Sequence, residues 1–151
     1  MRPAAVRYGP ALLDEALAVY REGFTASRYL DRPYAMAGVP LVAAETDAEA
    51  QRLATSALQR GLRLIRGEPI FVPPPVDRMD GLWSDAERFR VQSRMEVAVI
   101  GGPETVRQQL DAFLRRTGVD ELMFVSDVYE HALRLRSFEL AAEAILPRVS
   151  K

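Results

Sequence analysis

Apolar residues recur along this chain first at helical and then at strand spacing. Pro10 opens a run with Leu12, Leu13, Ala16, Leu17 and Tyr20 on one helical face and Asp14, Glu15, Arg21 and Glu22 on the other. Gly23 is placed to end it, so the pattern predicts an amphipathic helix laid against an apolar surface. The stretch 34–44 is nearly all apolar and bounded by polar groups, which predicts a strand buried on both faces, as in helix-covered parallel sheets. Pro40 cannot donate to a ladder, so a bulge or kink is expected near it.

Thr46-Asp47-Ala48-Glu49 has the form of a capping box, in which hydroxyl and carboxylate each satisfy an orphan backbone N–H. It starts a long predicted helix with Ala50, Leu53, Ala54, Ala57, Leu58, Leu62 and Ile65 along one stripe and Gly67 as its stop. A strand running directly into a capped helix is half of a βαβ unit. The next stretch holds Pro69 and the triplet Pro73-Pro74-Pro75, which exclude helix and central strand and predict stiff, extended chain. A second box, Ser84-Asp85-Ala86-Glu87, with Trp83 placed to staple the first turn, predicts a shorter helix. Residues 67–95 therefore read as an excursion inserted within a single domain spanning 1–151.

Met95 to Ile100 reads as a short extended segment entering Gly101-Gly102-Pro103-Glu104. Pro103 suits a first helical position, and Glu104 suits the positive end of the helix dipole. Val106, Leu110, Phe113 and Leu114 mark the buried side of that helix, and Gly118 its end. A second strand is expected over 121–127. A last helix is expected over 129–146, stopped by Pro147. This helix carries two apolar rows, one of Leu133, Leu140, Ala141 and Ala144, the other of Leu135, Phe138, Ala142 and Ile145. Such a helix is covered on more than one side, which implies a partner surface outside this sequence.

Composition narrows the function classes. The chain has 151 residues, a formal net charge of −1, no cysteine and one histidine, His131. That length is short for a complete (β/α) barrel, which typically needs about 250 residues. Near-neutral charge gives nucleic-acid binding no support, because that binding draws on a concentrated basic surface. Without cysteine there is no disulfide framework or thiolate nucleophile, and one histidine makes a zinc site improbable. No stretch has the length of a signal-peptide core or a membrane helix, so a soluble, cytoplasmic protein with no membrane partner is expected.

Several stretches in order share the character of one family: Leu30-Asp31-Arg32-Pro33-Tyr34, Met36-Ala37-Gly38-Val39, Ala44-Glu45-Thr46-Asp47-Ala48-Glu49-Ala50, and Pro73-Pro74-Pro75-Val76-Asp77. Met79-Asp80-Gly81-Leu82-Trp83-Ser84, Gly101-Gly102-Pro103-Glu104-Thr105-Val106, Asp120-Glu121-Leu122-Met123 and the run from His131 to Glu139 complete the set. In this order and spacing they resemble the back half of the bacterial luciferase-like monooxygenases, over essentially the whole chain. The resemblance implies an α/β fold of a particular kind, part of a (β/α)8 TIM barrel. The strands at 34–44 and 121–127 would be its seventh and eighth, and the Pro-rich excursion an insertion near the barrel mouth. It implies a flavin-dependent oxidoreductase using FMN or a related flavin, sometimes a deazaflavin. The flavin-contacting strands would lie upstream of Met1, so this chain alone is expected to be inactive and to hold no flavin. Gly102 departs from the family's Ser or Thr at a cap position, at a cost of only a few tenths of a kcal/mol.

No catalytic constellation stands out. His131 would sit just past a strand's C-terminal end, where barrel active sites lie, and could act as a base. Local capping or packing is the plainer reading. Ser126 and Asp127 end the second strand on the same face and could line a pocket, but no obvious base serves Ser126. Gly101 and Gly102 could hold a phosphate through backbone N–H groups, although Pro103 removes one donor and ordinary capping explains them equally. Phe71, Met79 and Trp83 would shape a substrate mouth or pack on a barrel rim. Arg134, Arg136 and Glu139 read as a solvated or interface charge group. Two other readings stand beside the enzyme segment. One is a half-barrel interaction module that self-associates or docks onto a complementary barrel half. The other is an unrelated small α/β domain, which antiparallel pairing of the two strands would favour.

Overall fold

The computed structural model describes residues 10–146. The residues before Pro10 and the expected helix stop at Pro147 lie outside that range. Helix α1 (Pro10–Glu22) is followed by strand β1 (Met36–Ala43), α2 (Asp47–Arg66), α3 (Asp85–Met95), β2 (Val99–Gly101), α4 (Pro103–Thr117), β3 (Glu121–Val125) and α5 (His131–Ile145). The strands form one sheet in the order β2-β1-β3, parallel throughout. The parallel pairing of β1 with β3 removes the support that an antiparallel arrangement would have given to an unrelated domain.

The helix ends follow from local chemistry. Thr46 Oγ1 accepts from the Glu49 N–H at 3.2 Å, and Gly67 closes α2 in the left-handed region at φ 70°. Ser84 and Glu87 complete a reciprocal capping box at α3. Arg21 reaches from α1 to donate to the carbonyls of Thr117 and Gly118 at 2.7 and 2.8 Å, placing a cation on the negative end of α4. Asp120 Oδ2 accepts from the Ala35 N–H at 2.9 Å, fixing the entrance of β1 beside that of β3.

Alternation along β1 divides the core. Ala37, Val39, Leu41 and Ala43 pack with Leu17 of α1, Val106, Leu110 and Phe113 of α4, and Leu140 and Ala141 of α5. Each fully buried aliphatic side chain there contributes about 1.5–3 kcal/mol. On the other face, Val42 and Ala44 pack with Ala50, Leu53 and Ala54 of α2. The two sides follow from chain order. β2 and β3 flank β1 on opposite sides, so the crossovers through α2 and through α4 run in opposite directions. Right-handed crossovers then require the two helices on opposite faces.

Several expectations are corrected. The register is one-to-one from Met36↔Glu121 to Pro40↔Val125, so there is no bulge at Pro40. From Leu41 onward β1 pairs with β2 instead, and the missing proline N–H falls at the seam between the two ladders. β1 is not buried on both faces: Met36 is 54% exposed, and Met123 and Val125 of β3, on the same face, are 51% and 54% exposed. The segment expected to be extended from Met95 starts as the end of α3, and only Val99–Gly101 pairs, which makes the sheet three-stranded. On α5 the second apolar row is partly open, with Leu135 and Ile145 exposed and Phe138 half-buried.

The Pro-rich part of the excursion, 67–84, forms no helix or strand, as its prolines dictate, but it is tied down. Thr55 Oγ1 accepts from the Val76 N–H at 2.9 Å and lies 3.0 Å from the Val76 carbonyl, and Gln59 donates to the Pro74 carbonyl at 3.0 Å. The Arg63 guanidinium lies over the Phe71 ring, 4.2 Å from its centre, and Met79 is buried.

Candidate functional site

Over the middle of β1 and the carboxyl end of β3, a cavity of about 360 Å³ lies between the sheet and the helices α2 and α3. Its sheet wall is Gly38, Pro40, Leu41 and Val42 with Val125, and its roof is Ala57, Arg60, Gly61 and Leu64 with Arg94 and Met95. The volume is at the lower end of ordinary ligand sites, and the lining is mostly apolar with a few polar groups. The outer edges of parallel α/β sheets at their carboxyl ends are where such folds bind ligands. A larger open groove of about 700 Å³ runs between α4 and α5, but its Glu104 and Arg107 pair with each other at 2.7 Å. None of the residues selected from sequence lines it.

Asp127 lines the cavity, and its Oδ2 accepts from Arg60 Nη1 at 3.2 Å. β3 ends at Val125, both Ser126 and Asp127 lie beyond it, and Ser126 is not among the residues lining the cavity. Ser126 Oγ is buried with no hydrogen-bond partner among the described residues. His131 is the exposed first residue of α5 and is not part of the cavity. Arg134 Nη2 sits 2.9 Å from His131 Nδ1, and because arginine can only donate, that ring nitrogen accepts.

Gly101 and Gly102 stand at the start of α4, where Asp47 of α2 already supplies a carboxylate. Asp47 Oδ1 accepts from the Gly102 N–H at 2.6 Å, and Oδ2 accepts from Thr105 Oγ1 at 3.1 Å. The Gly102 bond, then the Thr105 bond, hold the Asp47 carboxyl below its ordinary range. The anion expected at this helix start is thus provided from within the chain. Of the three residues expected to shape a mouth or pack on a rim, Met79 is buried, Trp83 half-buried and Phe71 exposed, and none of the three lines the cavity. Arg136 binds Glu45, Glu139 and Glu143 at 2.8, 3.2 and 3.1 Å, a surface charge group as its sequence indicates.

Arg60 was not singled out by sequence, though a signal was present. It falls three residues after Ala57 and four before Leu64, an arginine at the spacing of an apolar stripe. Ser137 is also new: it is fully buried on α5, and its Oγ accepts from the Ala43 N–H at 2.7 Å. Among the described residues no cluster of His, Cys, Asp or Glu suits a metal ion, and no helix is long and apolar enough to cross a membrane.

Three parallel strands with helices on both faces define an α/β unit. No family model matches the chain. Over 92% of its length it is 46% identical to an uncharacterised Bacillus subtilis protein, YvbT, and 38% identical to a luciferase-like monooxygenase of Escherichia coli K12. It spans about two fifths of those relatives, 41% and 42% respectively. Among solved structures, apo-MsnO8 matches 91% of the chain at 30% identity with a TM-score of 0.69, over 42% of its own length. A type II Baeyer-Villiger monooxygenase, the oxygenating constituent of 3,6-diketocamphane monooxygenase, in complex with FMN, shares the fold at TM-score 0.54 and 21% identity, with 42% of its own chain covered. The chain is a homologue, of partial length, of luciferase-like monooxygenases.

Proposed function

We propose that these residues form part of the barrel wall, and the cover over its mouth, in a luciferase-like flavin-dependent oxidoreductase. In this reading β1 and β3 are the seventh and eighth strands, and α2, the excursion 67–95 and α3 fold across the strand ends. The observation that carries it is the position of the cavity. It lies over the middle of β1 and the carboxyl end of β3, beneath a helix on the face opposite α1, α4 and α5.

The lining fits one side of a flat, largely apolar ring, since Gly38, Pro40, Val42, Leu64 and Val125 present little polar surface. The α4 start, outside this lining, is not free for a flavin phosphate, because Asp47 already accepts from its Gly102 N–H. Gly38 lets a ring approach the backbone: a Cβ there would meet nothing within 4 Å. When bound, reduced flavin, as FMN or a relative, supplies the redox chemistry. The roles of this chain are to exclude water with the α2 roof, to shape the apolar wall, and to hold the Arg60–Asp127 pair at the rim.

Only one side of a ring is lined here, so the 151-residue chain by itself should bind FMN weakly. Placed in the Escherichia coli relative in exchange for the matched stretch, it should yield a flavin-binding chimera. A chain that purifies yellow with one FMN per polypeptide would refute this reading. A second reading is an interaction module, favoured by the exposed Met36, Met123 and Val125 on one sheet face and by β3 at a sheet edge. Sedimentation decides it: a monomer at micromolar concentration excludes self-association.

A further inference from the structure

We infer that Arg60 is the specificity-determining residue of the strand-end cavity, and that it selects a ligand with an apolar body and a planar anionic group such as a carboxylate. The inference deepens the proposed function and rests on the same cavity being a ligand site.

Arg60 projects from α2 into a cavity whose other walls are chiefly apolar. A guanidinium has five N–H donors in a flat fork. Its contact with Asp127 is a single one, Nη1 to Oδ2 at 3.2 Å. The remaining donors have no protein partner among the described residues. The pair is also partly open to solvent, with Arg60 42% and Asp127 27% exposed, so it is weakly held and screened. A guanidinium in that state is oriented but not used up. Asp127 acts as a positioning residue, and the free edge of the fork matches a carboxylate in bidentate geometry.

One guanidinium can hold several carboxylates in this molecule: Arg136 contacts three. Leu64, Val125 and Val42 offer the ligand's body an apolar surface close to the fork. A neutral ligand of equal shape would cover the free edge of the Arg60 fork without giving it a charged acceptor, which is the basis of discrimination.

The test uses the 151-residue chain with two probes of nearly equal shape, naphthoate and the neutral naphthamide, titrated by methyl and arginine side-chain NMR. Naphthoate should shift the Val42, Leu64 and Val125 methyls and bind about tenfold more tightly than naphthamide, the gain of a charge-assisted contact. Arg60→Gln should bring the two affinities together. Should that variant fail to fold, the wild-type Arg60 Nε–H signal serves instead, moving with naphthoate and not with naphthamide. Equal affinities in the wild type, a preference that survives Arg60→Gln, or an absence of shifts at the three methyls would overturn the inference. Neither probe contains flavin, so this outcome is independent of whether the chimera holds FMN.

Discussion

Gly101 offers the sharpest test of the packing that places α4 against α2. A Cβ on Gly101 would lie 2.5 Å from Thr105 Cγ2, 2.7 Å from Thr105 Cβ and 2.9 Å from Asp47 Oδ1. Carbon atoms rest at about 3.5–4.0 Å, so the overlap is on the order of 1 Å. Rotating Thr105 about χ1 would move Cγ2 but not Cβ, which is fixed by the first turn of α4. It would also break the 3.1 Å bond from Thr105 Oγ1 to Asp47. The backbone at the β2–α4 junction must therefore shift, and Gly101→Ala should cost about 1–3 kcal/mol, as overpacking does. Urea unfolding followed by circular dichroism measures this. Gly38→Ala is the internal control, because nothing lies within 4 Å of its added Cβ, and it should stay within about 0.5 kcal/mol of wild type. In a Gly101→Ala background, Thr105→Ser should recover part of the loss by removing the methyl but not Cβ. The reasoning fails if Gly101→Ala unfolds with wild type, or if both glycine variants lose equal stability.

Three further outcomes are expected. Ser137→Ala leaves the Ala43 N–H buried without its 2.7 Å partner and should destabilise by about 1–3 kcal/mol in the same urea assay. Thr55→Val removes the hydroxyl that holds Val76, so limited proteolysis should cut within 68–80 several-fold faster while circular dichroism stays unchanged. The Glu87 carboxyl is held down to about 2, first by Arg66 and then by the Ser84 backbone N–H. A depressed carboxyl stabilises fully above its unfolded value of about 4.3, and that contribution is lost as pH falls through about 2. Glu87→Gln should therefore flatten the stability curve in that acid window and leave its shape above neutrality unchanged. A wild-type slope in the variant would refute the assignment.

What the sequence determined by itself is local. The caps at Thr46 and Ser84, the stops at Gly67 and Gly118, and the stripe of α4 each depend on residues within one or two turns. Periodicity therefore reported them directly. It also reported that β1 is apolar, but not that Met36 and Gly38 would be open, because an alternating pattern says which residues share a face and not what covers that face. Sheet order was decided by tertiary structure alone. With it came the seam that accommodates Pro40 and the placement of α2 opposite α4. Arg60 and Asp127 are 67 residues apart, and Asp47 and Gly102 are 55 apart. No local pattern joins such pairs: they meet only once right-handed crossovers have carried their helices to opposite faces of the sheet.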